Sequence, residues 1–176
     1  MDENYQAILD FWFAPGMDEL WYADDPNVDA GVRDRFMRTY EAARDGELDA
    51  WRERAASMLA LIIVLDQFPR NMFRGEARAF ATDRLALSLS KEGIRKGFDP
   101  TLNAAQLDFF YMPLMHSEAL DDHRLLIERG RGDDRYARAH RTTIERFGRY
   151  PQRNAALGRA STPEETRFLA LGADCD

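Results

Sequence analysis

Between Ala55 and Leu65 the chain carries a single polar side chain, Ser57. Such a stretch reads as a helix with no solvent face, and a helix that is apolar all round must be enclosed by other elements. It falls far short of the roughly 20 apolar residues that span a bilayer, and no other run approaches that length. The rest of the chain must therefore supply its cover. Ala (24) and Leu (18) far outnumber Val (3) and Ile (6), which favours helices as that cover and argues against a parallel sheet or a β-sandwich. At 176 residues and 20.3 kDa the chain has the length of one ordinary domain. A chain of this mass buries roughly 70% of its unfolded surface, enough for a core of its own.

The covering helices announce themselves by spacing and caps. Tyr5, Ile8, Leu9 and Trp12 recur at i, i+3, i+4, i+7. Asp25 and Pro26 open a second helix with Val28, Val32, Phe36 and Tyr40 on one stripe, ending before Gly46. After the buried helix, a fourth is predicted from Thr82 to Lys96. A fifth runs from near Asn103, which forms a capping-box spacing with Gln106, to a break at Pro113. A sixth covers Ser117 to Arg129, and a seventh Asp134 to Phe147, with Tyr136, His140, Thr143, Ile144 and Phe147 on one face. Thr162, Pro163 and Glu165 give the last helix a full start signal. About eight helices with short connections make an all-α array around the buried one. No Gly/Ser-rich or Pro-rich linker interrupts it, so residues 1–176 read as a single compact domain. The 34-residue period of tetratricopeptide repeats is not found. A short echo does occur after two helix ends: Phe68-Pro69-Arg70-Asn71 and Tyr150-Pro151-Gln152-Arg153-Asn154.

Charge is uneven. Residues 1–50 hold 13 acids and 4 bases, whereas residues 135–159 hold 7 arginines and one acid, Glu145. That basic segment either pairs with acidic parts of the chain or faces an anionic ligand. The formal net charge of −7 opposes nucleic-acid binding, so no nucleic-acid partner is expected. The acidic start Met1-Asp2-Glu3-Asn4 lacks the order of a signal peptide, and the lone Cys175 cannot form a disulfide within the chain. A cytoplasmic location and no membrane partner are the expectations.

Chemistry concentrates at the helix breaks. Asp66 closes the buried helix, where the carbonyl ends repel a carboxylate, so it needs a cation or several donors. Arg70, Arg74 and Arg153 are the candidates. Two readings stay open for Asp66: a pair that pins the break at Pro69, or an acid that orients an arginine toward a ligand. Arg70, Asn71 and Arg74 follow at once, and the second break holds Arg149, Arg153, Asn154 and Arg159. Such residues either cap free backbone groups or present donor forks to a carboxylate or phosphate. Read the second way, the two loops face each other across one cleft that binds an anionic small molecule. His140 is either a satisfied core residue or part of that site. His116 and Glu118 are the candidate acid–base pair; the plainer reading is a hydrogen bond joining two helices. Their spacing matches no zinc signature, and no metal or cofactor is expected. Phosphate-loop, dinucleotide and nucleophile-elbow motifs are absent. A helical module that binds a protein or peptide partner in a groove is the alternative.

The segments Leu65-Asp66-Gln67-Phe68-Pro69-Arg70-Asn71-Met72-Phe73-Arg74-Gly75, Phe80-Ala81-Thr82-Asp83 and Tyr111-Met112-Pro113-Leu114-Met115-His116-Ser117-Glu118 belong to a longer pattern. It continues through Phe147-Gly148-Arg149-Tyr150-Pro151-Gln152-Arg153-Asn154, Leu157-Gly158-Arg159 and Ser161-Thr162-Pro163-Glu164-Glu165. Together they resemble the bacterial domain-of-unknown-function family 924, over nearly the whole chain. The resemblance implies a compact all-helical fold of the tetratricopeptide-like α-α superhelix kind and assigns no reaction or catalytic residue. Two positions depart from the family pattern: Gln152 stands where histidine is frequent, and Asp122-His123 where Asp-Gln is frequent.

Overall fold

In the computed structural model, residues 5–172 are described; Met1–Asn4 and Cys175 lie outside them. Among the described residues the regular structure is entirely helical. The helices are α1 (Tyr5–Trp12), α2 (Pro26–Arg44), α3 (Ala55–Asp66), α4 (Phe68–Met72), α5 (Asp83–Lys96), α6 (Ala104–Met115), α7 (Leu120–Glu128), α8 (Arg135–Phe147) and α9 (Pro163–Ala170), with 3-10 turns at 49–53, 77–80, 99–101 and 151–153.

The caps read at Asp25, Asn103 and Thr162 form, and Asp134, read only as a helix start, caps α8 as well. Asp25 accepts from the Asn27 amide at 2.7 Å, and Asp134 from the Ala137 amide at 2.8 Å. Asn103 and Gln106 exchange reciprocal bonds at 3.0 and 3.1 Å. Thr162 and Glu165 form a complete capping box. Gly97 and Gly148 end α5 and α8 in the left-handed conformation, which glycine adopts without a Cβ clash. Two helices differ from the reading. α6 runs through Pro113 to Met115 instead of breaking there. Proline removes one ladder bond, and only two helical residues follow it, so little of the helix is at stake. α7 is also shorter than predicted, because Ser117 turns back to bond Asp122 at 2.6 Å.

The chain divides into two compact units. The first holds residues up to Arg74 together with Arg78–Pro113. Its centre is α3, in which every residue from Ser57 to Asp66 is buried. α1, α2, α4 and α5 pack around it. The polar atoms at its ends are satisfied: Ser57 Oγ donates to the Trp51 carbonyl at 2.7 Å, and Thr82 Oγ1 to the Leu65 carbonyl at 2.6 Å. Trp12, Phe36, Phe68 and Phe109 pack ring on ring beside it. The second unit holds Gly75–Ala77 and residues from Leu114 onward. There α7 packs on α8, and α9 on the 151–153 turn.

Candidate functional site

In the first unit the polar residues after α3 are locked into ion pairs. Asp66 is fully buried. Gln67 donates to one of its oxygens, and Arg70 Nη1 lies 3.5 Å from the other. Arg70 also donates to the Asp66 carbonyl and grips Asp83 with both terminal nitrogens at 3.0 and 3.1 Å. Pro69 lies in the first turn of α4, so Arg70 comes one turn after Asp66 and reaches back to it. Asn71 donates to Asp29 at 2.9 Å. Arg74 takes the same carboxylate bidentately at 2.9 Å and reaches Asp24 at 2.5 Å. Burial pushes the Asp29 carboxyl up, but the Arg74 and Asn71 hydrogen bonds and the Arg74 and Arg33 charges outweigh it and hold it below its ordinary range.

The second unit holds the other candidates and all three histidines of the chain. His123 and His140 flank Tyr150, which is 1% exposed. Its hydroxyl donates to the Met115 carbonyl at 2.5 Å and lies 3.4 Å from His123 Nε2. Its backbone amide donates to Glu118 Oε1 at 2.7 Å. Arg159 grips Glu118 bidentately at 2.8 and 3.0 Å and bonds the Tyr150 carbonyl at 2.9 Å. Its Nε donates to Asn154 Oδ1 at 2.9 Å, and Asn154 donates in turn to Ser161. Burial raises the Glu118 carboxyl, yet the Arg159 and Tyr150 hydrogen bonds and the charges of Arg159 and Arg153 bring it below the ordinary range. Arg149 takes Glu165 in the same bidentate way, at 2.7 and 2.9 Å. Those hydrogen bonds and the Thr162 amide hold Glu165 down at about 2.

The histidines occupy a different environment. His140, on α8, donates from Nδ1 to the Tyr136 carbonyl at 2.8 Å, which leaves the lone pair on Nε2. Its ring meets the Tyr150 ring edge-on at 5.5 Å and the His116 ring at 6.4 Å. Burial first, then the charges of His116, Arg153 and His123, push His140 down to about 4. His123, on α7, donates from Nε2 to the Ser117 carbonyl at 2.9 Å, while its buried Nδ1 has no hydrogen-bond partner. Burial lowers it too. His116 follows α6 directly and is half-buried, so solvent reaches this edge. Arg153 is 7% exposed, with its guanidinium carbon 4.5 Å from the centre of the Tyr150 ring.

The structure thus gathers Asp66, Arg70, Asn71 and Arg74 in one unit and His116, Glu118, His140, Arg149, Arg153, Asn154 and Arg159 in the other. Sequence reasoning passed over Tyr150, the hub of the second group, and the carboxylates Asp29, Asp83 and Glu165. A signal for Tyr150 was present in the echoed breaks: Phe68 and Tyr150, each just before a proline, are both buried. His123 was legible too, since every histidine falls between 116 and 140. A hollow of about 100 Å³ in the first unit is lined by Arg44, Arg52, Leu61, Leu65, Leu85 and Leu89, among others. No candidate residue lines it, and its arginines are held by Asp45 and by Glu92. Among the described residues no group of three or more His, Cys, Asp or Glu is placed to hold a metal ion. No helix there is long and apolar enough to cross a membrane.

A family model described as bacterial protein of unknown function (DUF924) matches residues 8–173, and the chain belongs to that family. The solved structure of a protein of unknown function, ATU0120 from Agrobacterium tumefaciens, is similar at 41% identity and a TM-score of 0.89, covering 96% of this chain and 97% of that one. No functionally curated protein matches the sequence.

Proposed function

We propose that this DUF924 member is a cytoplasmic protein that binds a small anionic molecule, a carboxylate or a phosphate, at the cluster of His116, His140 and Arg153 around Tyr150. One observation supports this above the others: a guanidinium taken into the interior against Tyr150, beside a histidine that burial keeps neutral. Burying a cation is costly, and the planar fork of arginine suits carboxylate and phosphate oxygens. His140 supplies the complement. With Nδ1–H committed to a carbonyl, its Nε2 is a hydrogen-bond and proton acceptor at neutral pH.

The remaining candidates take supporting roles in this reading. Glu118, ionised and clamped by Arg159, positions the Tyr150 backbone rather than exchanging protons with His116. Arg149 and Asn154 tie the 148–162 segment together. Asp66, Arg70, Asn71 and Arg74 brace the first unit.

The test is unfolding in the presence of inorganic phosphate and simple carboxylates. A ligand at 100 times its dissociation constant adds about 2.7 kcal/mol of stability. Wild-type protein is expected to gain stability from at least one of these anions, and Arg153→Ala to lose that gain while remaining folded. A gain retained in Arg153→Ala, or none with any anion, overturns the reading.

A further inference from the structure

We propose that the hollow beside the buried helix α3 binds a free aliphatic amino acid of leucine size, side chain inward, with its carboxylate on Arg44 and Arg52 and its ammonium on Asp49. The hollow lies wholly in the first unit, so this inference is independent of the anion site read in the second.

Three helices leave the space between them. α3 lines it with Leu61 and Leu65, α5 with Leu85 and Leu89, and α2 with Ala43. All of these are buried except Leu85, which is exposed, so the apolar lining runs from solvent down to the core helix. A Cβ on Gly46, which also lines the hollow, would meet no atom within 4 Å. The volume sets the size of the guest. A cavity of about 150 Å³ takes benzene, with six carbons. By the same ratio a hollow of about 100 Å³ takes about four carbons, the count of the leucine side chain. Alanine leaves most of that space empty, and phenylalanine exceeds it.

The charged lining carries both signs. Arg44, Asp49 and Arg52 border the same hollow as the leucines. Arg44 is held by Asp45, its neighbour in the chain, and the two side chains are 42% and 52% exposed. Asp49 is 66% exposed and lies 3.4 Å from Arg52, which keeps Glu92 at 2.5 Å as its anchor. Exposed pairs of this kind hold weakly, so an incoming ligand can exchange with them. A lone carboxylate would draw the arginines from their acids and leave Asp45 and Asp49 without a cation. A lone ammonium would draw Asp49 from Arg52 and add no anion in its place. A zwitterion leaves every charge paired.

Amide NMR of the whole protein, titrated with leucine, alanine, phenylalanine, N-acetyl-leucine and leucinamide, tests this. A ligand of this size is expected to bind with a Kd of about a millimolar. Leucine is expected to give saturable shifts at residues 43–52, 61–65 and 85–89. Each methylene taken out of water corresponds to about fourfold in affinity, so leucine is expected to exceed alanine by about tenfold or more. N-acetyl-leucine keeps the side chain and the carboxylate, and leucinamide keeps the side chain and the ammonium. Each is expected to bind about three- to fivefold more weakly than leucine. Asp49→Asn is expected to bring leucine down to the affinity of N-acetyl-leucine, and Arg44→Gln to bring it toward that of leucinamide. Both positions are exposed, and the spectra of the free variants report their folding. Alanine or phenylalanine binding as tightly as leucine overturns the size match. Either singly charged analogue matching leucine overturns recognition of the free amino acid in favour of a peptide end. Shifts that are absent, or that saturate only outside the hollow, overturn the site.

Discussion

Arg70 and Arg153 follow the two echoed aromatic–proline breaks. Arg70 is fixed between Asp66 and Asp83, and Asp66 is fully buried. Removing one partner of a buried pair strands the other charge. Arg70→Ala is therefore expected to cost about 2–4 kcal/mol of unfolding free energy in urea. Arg153 lies over the Tyr150 ring, and its charge acts on both Glu118 and His140. Its contact with the Tyr150 ring offsets part of the desolvation cost. In the anion-binding reading, Arg153→Ala is expected to stay folded and to lose the stabilisation that an anion gives the wild type. A loss as large as that of Arg70→Ala would identify Arg153 as a brace. Tyr150→Phe probes the hub itself. It strips the Met115 carbonyl of its partner, and an expected loss of about 1–3 kcal/mol is measurable by the same denaturation.

At the scale of the element, capping and packing answer different questions. Ends were legible because a cap is local: Asp25 with Pro26, Asn103 with Gln106, and Thr162 with Glu165 lie within three residues of one another. The passage of α6 through Pro113 was not legible, since two residues of helix beyond a proline carry no local signature. Gly93 shows the same divide. By propensity it weakens α5, and alanine would gain about 1 kcal/mol. By packing it cannot be replaced: a Cβ there would lie 2.3 Å from Phe110 Cζ and 2.7 Å from Met58 Sδ, and both side chains are 0% exposed. Overpacking costs about 1–3 kcal/mol, so Gly93→Ala is expected to lower the thermal midpoint despite its better helix propensity. An unchanged or raised midpoint would show that α3 and α6 yield.

For the molecule as a whole, the buried histidines set an acid limit to stability. His140 titrates near 4 in the folded state and near 6.5 unfolded, so between those values the unfolded chain binds more protons. Stability from this group is then complete above about pH 6.5 and falls as the pH drops toward 4. The loss from this residue between pH 7 and pH 5 is expected to be about 2 kcal/mol. His123, lowered for the same reason, adds to it. The carboxylates act at lower pH. Glu165 at about 2 and the depressed Glu118 and Asp29 contribute stability above their unfolded values near 4, lost as the pH falls through their folded ones. Urea unfolding at pH 7 and pH 5 checks the upper limb: His140→Gln is expected to flatten it, and an unchanged slope would place the loss elsewhere.

The sequence by itself determined that the protein is helical, that α3 is buried and where most helices begin and end. These follow from apolar periodicity and from capping groups that act over three or four residues. It also marked the two breaks where arginine and asparagine gather. Only the tertiary structure decided which carboxylate each arginine meets. Arg70 finds Asp83, Arg74 finds Asp29 and Arg159 finds Glu118, across 13, 45 and 41 residues of chain. Only it, too, brought His123 and His140 against Tyr150 and lowered the His140 pKa by burial. Ion pairing and desolvation depend on distance and burial in space, and neither is written in the spacing of residues along the chain.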